Sequence, residues 1–345
     1  MLADEVVRRR GWLTQGEFLD LLGATNLIPG PNSTEMAIHV GHRRAGWPGL
    51  LVAGVSFILP ATVIVWILAW AYTRYGQLPE MAGVLDGVKP VIIVVVGQAL
   101  WGLGHTALKT RGLVYALLAA VVSGIAGVNE LVLLFGIGLA VAIGRGVRGR
   151  WGFVAAFVPP LGAAAVAGAS TFQLSTLFLV FLKVGSVLFG SGYVLLAFLR
   201  AELVVRLDWL SEGQLLDAVA VGQFTPGPVF TTATFVGYVL GGHPGAAVAT
   251  AGIFLPAFFF VAISGPLVPR LRGSAIAGAF LDGVNVASLA LMAIVTWQLG
   301  WSAVRGPYAA LLAAGSAVLL LRFRVNSSWL VAGGALAGLL AHRLS

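Results

Sequence analysis

A Pro-Gly-Pro break occurs twice in this chain, at Pro29-Gly30-Pro31 and at Pro226-Gly227-Pro228, 197 residues apart. The interval is not confined to the breaks. Glu5 repeats as Glu202, Trp12-Leu13 as Trp209-Leu210, and Asp20 as Asp217 at the same spacing. Past a one-residue deletion the interval becomes 196. Pro48 then repeats as Pro244, Pro60 as Pro256, Asp86-Gly87-Val88 as Asp282-Gly283-Val284, and Trp101 as Trp297. Chance likeness between apolar segments would align Leu and Val, not Trp, Pro and Asp in register. The chain is a duplicated unit, and each copy carries a helix breaker near its start.

The unit belongs in a membrane. Of 345 residues, 59% are hydrophobic and 10% charged, with mean hydropathy +0.95. A soluble domain carries about 25% charged residues, so this chain has too little polar surface to fold in water. The expected fold class is an all-α polytopic membrane protein of two homologous helical repeats, with the Pro-Gly-Pro broken helices near the midplane. The first transmembrane repeat is placed at 1–150, a linking helix within 151–173, and the second repeat at 174–345. Cysteine is absent, which excludes disulfides, thiolate metal sites and cysteine nucleophiles. The net charge of +8 sits mostly between apolar spans, where it orients helices and meets lipid headgroups. Nucleic acid is therefore not an expected partner. Membrane lipid is, and assembly of several copies is compatible with the sequence. No cofactor or metal site is expected. The chain carries no H-E-x-x-H, G-x-S-x-G or Walker A pattern, so an enzyme is not expected, and any uphill transport must draw on an ion gradient.

Several boundaries follow. Phe18 to Ile28 is an apolar arm too short to span about 30 Å of hydrocarbon. A second arm runs from the break to about Gly41, and His42-Arg43-Arg44 reads as the loop that closes it. Long spans are expected near 48–73 and 84–108, and shorter ones near 113–127 and 131–144. The helix expected at 174–199 has no counterpart ahead of Glu5, so the first repeat lacks its opening helix. An initiation codon assigned to an internal Met explains this better than loss of the helix. Topology turns on the broken arms. If they cross, the repeats are inverted. Arg43, Arg44, Lys109, Arg111, Arg145, Arg200 and Arg206 then share a basic, cytoplasmic side, while Arg8, Arg9, Arg10 and Arg74 face the other. If they are re-entrant, the count makes the repeats parallel. Inverted repeats are the commoner transporter solution, and that is the expectation.

The breaks suggest a binding site. Proline at the first turn of a helix costs nothing, and the N–H groups of Asn32, Ser33 and Thr34 would be orphan donors at a positive helix end. With the hydroxyls of Ser33 and Thr34 they suit an oxyanion. The second break offers the N–H groups after Pro228 with Thr225, Thr231 and Thr232. Asn26, Gln223 and Asn285 are candidate lining amides. Glu35 lies one turn past the first break, where the second repeat has Thr232. An acid there either carries a proton, as a coupling group, or pairs with a cation. Lys183, just before Phe189-Gly190-Ser191-Gly192, either draws an anion or snorkels to the interface. Asp86 and Asp282 read as acids in first helical turns.

These residues resemble a known family. Asn26 to Thr34, then Arg43-Arg44-Ala45-Gly46 and Phe57-Ile58-Leu59-Pro60-Ala61, are similar to the chromate ion transporter family in its long two-repeat form. Phe189-Gly190-Ser191-Gly192, Phe224-Thr225-Pro226-Gly227-Pro228 and Phe254-Leu255-Pro256-Ala257 resemble its C-terminal repeat. The family's Phe-Gly-Gly-Pro-like motif lacks its Pro in the second repeat here and has no copy in the first. The resemblance implies a bacterial inner-membrane protein with oppositely oriented repeats that exports chromate, by coupling to the proton motive force or to a counter-anion. Chromate is a tetrahedral dianion shaped like sulfate, so a sulfate or related oxyanion carrier is the alternative. A membrane partner protein that has lost transport is a third reading.

Overall fold

Both broken arms begin with the same device. Thr14 accepts a hydrogen bond from the Glu17 amide while the Glu17 carboxylate receives that of Thr14, and Ser211 and Gln214 repeat this capping box at the equivalent positions. These caps start α1 (Gln15–Thr25) and α8 (Glu212–Phe224). The computed structural model describes residues 4–76, 78–146, 171–189, 192–272 and 274–344. The expected linking helix at 151–169, most of the basic loop to Arg150, and Gly190 and Ser191 lie outside the described residues.

The first repeat continues with α2 (Asn32–Tyr75), α3 (Pro79–Ala107), α4 (Arg111–Ile125) and α5 (Glu130–Gly146). The second opens with α6 (Leu174–Val187). Then come a 3₁₀ turn (Gly192–Val194), α7 (Leu195–Leu199) and wide π-type turns (Arg200–Arg206). After α8 follow a second 3₁₀ turn (Val229–Thr231), α9 (Thr232–Arg272), α10 (Ala275–Ala303), α11 (Gly306–Arg322) and α12 (Ser327–Leu344). Four of the described helices are long and apolar enough to cross a membrane, and the protein is a multi-pass membrane protein.

The two longest helices each fold into a hairpin. Ala45 and Gly46 leave helical geometry, with Gly46 at φ 59°, and Gly241 and Gly242 do the same, with Gly242 at φ 60°. Only glycine takes this left-handed conformation freely. The expected loop at His42-Arg43-Arg44 is therefore helical, and the turn falls just after it. The charged residues end a limb that has already reached the interface, and the chain reverses where glycine allows it. The limbs 32–44 and 47–75 then pack backbone to backbone at Gly41 and Gly49, as 232–240 and 243–272 do at Gly237 and Gly245.

The broken arms do not cross. At the mouth of the first, Arg43 Nη2 lies 3.1 Å from Glu17 Oε1, and both Arg10 and Arg44 stack on Trp12. Phe18 and Leu21 of α1 pack against Met36 and Val40 of α2. The chain goes in along α1, turns at Pro29-Gly30-Pro31 and comes back out. The second arm does likewise, with Gly222 against Thr232. A third segment, expected as one helix at 174–199, also returns. It turns after Val187, and the Phe172 ring meets that of Trp209 at 5.1 Å.

Equivalent helices of the two repeats run antiparallel. In α3 and α10, Ile93 faces Gly300 while Leu289 faces Gly104, two contacts exchanged by the 196-residue offset. In α2 and α9, Gly54 meets Phe258 and Trp66 donates to His243 at 2.9 Å. A two-fold axis that reverses membrane-crossing helices lies in the membrane plane, so the repeats are inverted. Re-entrant arms were expected to make them parallel. The segment at 174–199, counted there as a crossing, also turns back, which changes that count by one. The repeats also exchange partners: α3 packs on α12 through Gly87 and Gly334, and α10 packs on α5 through Gly283 and Gly138. The charge assignment changes in detail. Arg8, Arg9 and Arg10 join Arg43, Arg44, Lys109 and Arg111 at one end, while Arg200 and Arg206 join Arg74 and Arg305 at the other. The first end remains the basic one.

Candidate functional site

Each break sits beside the centre of the opposite repeat's longest limb. Gly227 lies against Ala61, the middle residue of limb 47–75. Ile28 shares a buried cluster with Ala257, the middle of limb 243–272, and with Val261. The tip of the third re-entrant segment lies between the two breaks. The Gly30 N–H donates to the Leu188 carbonyl at 2.8 Å, and Gly192 lies against Val229. Gly192, expected as a site residue, thus lies next to the second break.

At the first break Pro29, Gly30 and Pro31 are buried. Asn32 Nδ2 donates to Asn26 Oδ1 at 2.8 Å, tying the end of α1 to the start of α2. The Thr34 N–H is not an orphan as expected, because it donates to the Pro31 carbonyl at 2.8 Å. Among the described residues, the amides of Asn32 and Ser33 are the donors of that turn without a partner, and the Ser33 side chain is exposed. Behind them Thr34 and Glu35 are both 0% exposed. Thr34 Oγ1 and both Glu35 carboxyl oxygens have no hydrogen-bond partner among the described residues. Glu35 thus neither pairs with a cation there nor lies at the interface. Its Oε1 sits against the Cα of Gly30, whose φ of 135° also favours glycine.

The second break is built differently. Thr225 Oγ1 donates to the Val221 carbonyl at 2.7 Å and Thr231 Oγ1 to the Pro228 carbonyl at 2.9 Å. These two hydroxyl protons are spent on backbone, against the expectation that both would serve an anion. Thr232, the counterpart of Glu35, is fully buried with its hydroxyl unpartnered among the described residues. Pro226 and Gly227 are exposed, Pro228 is buried, and Gln223 closes α8 beside them.

Lys183 does not stand free. Its Nζ is ion-paired with Glu202, whose other oxygen takes Arg206 at 2.6 Å. This cluster holds the two limbs of the third re-entrant segment together. Asp86 and Asp282 are not first-turn acids. They lie two turns into α3 and α10, where Asp86 pairs with Lys89 at 3.2 Å and Asp282 with Arg145 at 2.8 Å.

A cavity of about 510 Å³ opens beside the first break. Asn26 and Asn32 line it with Phe189, Asn285 and Ser288, and Thr106 and Lys109 stand towards its mouth at the basic end. Asn285 was legible as a lining amide. Thr106, Lys109 and Ser288 were not singled out, although Asp282, Asn285 and Leu289 repeat at helical spacing on one face of α10. The polar part of the lining is mostly neutral, with Lys109 and Asp282 as its charged members, and apolar residues make up much of the rest. It offers amides, hydroxyls and a helix start to a small polar solute.

The chain matches the chromate transporter family over residues 1–144 and 175–339. It is 32% identical to the chromate transport protein of Cupriavidus metallidurans, over 99% of this chain and 87% of that one. It is 31% identical to the probable chromate transport protein of Synechococcus elongatus, over 86% and 77%, and 31% identical to the chromate transport protein of Pseudomonas aeruginosa, over 87% and 75%. No solved structure matches it. With the family's two segments falling on the two inverted repeats, the chain belongs to the chromate transporter family.

Proposed function

We propose that this protein is a secondary transporter that exports chromate across a bacterial inner membrane. The basic end is cytoplasmic by the positive-inside rule. Chromate enters from there through the cavity at the first break and meets the N–H groups of Asn32 and Ser33. The second break and the tip carrying Gly192 complete the far wall. Export has a driving force at hand. A membrane potential is worth about 2.3 kcal/mol per charge per 100 mV, so a dianion leaving a negative interior is favoured by twice that. One proton carried out with it leaves a net single negative charge still moving downhill.

The observation that carries this reading is Glu35, a buried carboxyl with no partner among the described residues, directly behind the Asn32 and Ser33 amides. Ionised, it repels a dianion at those amides. Protonated, it admits one. That is a coupling group at the place where coupling is needed. Chromate uptake into everted vesicles tests it. Glu35→Gln is expected to transport without proton coupling, and Ser33→Ala with Thr34→Ala to weaken uptake. Unchanged transport and coupling in all of them would remove the site. The donors fit any tetrahedral dianion, so sulfate is the second reading. Sulfate accumulation with no gain of chromate tolerance in a sensitive host would select it.

A further inference from the structure

A second cavity of about 510 Å³ lies at the opposite end of the same pair of helices. Five of its lining positions repeat those of the first at the 196-residue offset. Asp86 stands for Asp282, Ser302 for Thr106, Ala303 for Ala107 and Arg305 for Lys109. Among these matched positions the change of character is at Lys89, where the first cavity has Asn285. Because α3 and α10 run antiparallel, these matched linings open towards opposite sides of the membrane.

We propose that this second cavity is the release vestibule of an alternating-access cycle, and that Lys89 and Arg305 receive the oxyanion there. The inference rests on the transport reading above and extends it to a second site. The present conformation opens the first cavity as far as the break at Asn26 and Asn32. The second reaches only Glu212, Gly213 and Leu216 at the outer end of α8. Rocking of the repeats about their two-fold axis exchanges these depths. The second cavity then extends to the break at Pro226-Gly227-Pro228, and the first closes. The exchange of Asn285 for Lys89 gives the two ends different chemistry. A neutral amide faces the side where the anion is gathered. A cation, shared with Asp86 in the present state, faces the side to which it is drawn.

The chain has no cysteine, so single thiols report accessibility directly. A membrane-impermeant maleimide is expected to label Thr106→Cys from the basic side and Ser302→Cys from the opposite side. Chromate is expected to change the two rates in opposite senses. Labelling of both from one side overturns the proposal, as does indifference of Ser302→Cys to chromate in a chain that transports it. Sidedness is read without transport, so a chain that moved no chromate would count against the transport reading alone. Lys89→Gln is expected to lower uptake roughly tenfold, the scale of a lost charged hydrogen bond. Asp86→Asn combined with Lys89→Gln separates anion handling from simple ion pairing. Persistent loss in the double variant supports the vestibule, and recovery to wild-type uptake overturns it.

Discussion

The carboxyl of Glu35 lies against the Cα of Gly30, close enough that a methyl group at Gly30 would overlap Oε1. Two residues five apart, on either side of the turn into α2, thus share one space. Gly30→Ala is expected to displace the carboxyl and to strain a backbone at φ 135°. Transport should be lost together with some stability, read as a lower unfolding temperature in detergent. In Gly30→Ala/Glu35→Ala the overlap is gone, so part of the stability should return while proton coupling does not. Equal stability of the single and double variants would separate the two residues.

Asp217 is 4% exposed and accepts one hydrogen bond, from the Tyr72 hydroxyl at 2.9 Å. Its other oxygen has no hydrogen-bond partner among the described residues. Tyr72→Phe removes that one bond and is expected to cost about 1–3 kcal/mol, the penalty for a buried polar group left unsatisfied. Asp217→Asn keeps an acceptor for Tyr72 and should cost less. Thermal unfolding of the two variants orders them.

Glu202 holds two cations, Lys183 and Arg206. Glu202→Gln removes the carboxylate that both cations bond within the third re-entrant segment, so a large loss of stability is expected. Lys183→Gln removes one of two partners and should lower stability less, leaving the KM for chromate unchanged. A several-fold rise in KM would return Lys183 to the anion site.

At the mouth of the first arm, the Thr14 amide, the Thr14 hydroxyl and Arg43 together hold the Glu17 carboxyl below its ordinary range. A carboxylate favoured by folding contributes stability that is complete above the unfolded value of about 4.3 and is lost as pH falls through the lower folded value. Wild type should therefore lose stability on acidification relative to Glu17→Gln, with the gap closing at the acid end. The pair is exposed, so solvent screening keeps the effect small.

Gly46 and Gly242 sit at φ 59° and 60° in equivalent turns. Alanine at either is expected to cost about 1–3 kcal/mol, the penalty for a residue with a Cβ in a positive-φ conformation that glycine alone adopts readily. The two variants should match in unfolding temperature, because the turns match in geometry.

The duplication was legible because Trp, Pro and Asp recur in register, and the breaks because proline leaves a helix no alternative. The path of the arms was not legible. The 11 residues of α1 rise about 16 Å, a length that serves half a crossing or one limb of a re-entrant hairpin. What decides is Phe18 against Met36 and Glu17 against Arg43, contacts between residues that local sequence does not connect. The same holds at Lys183, where the acid that takes its charge lies 19 residues on. Glu35 stood out as an acid in an apolar limb. That nothing among the described residues pairs with it needed coordinates.

The exchange of partners between repeats means that neither copy is a free-standing object. The groove α3 offers at Gly87 is filled by α12, and the groove α10 offers at Gly283 is filled by α5. Each half is thus finished only by the other, like two strands of one braid. Two separately synthesised halves meeting in one bilayer should therefore knit into a single working molecule, and either half left alone should be sought out by proteases.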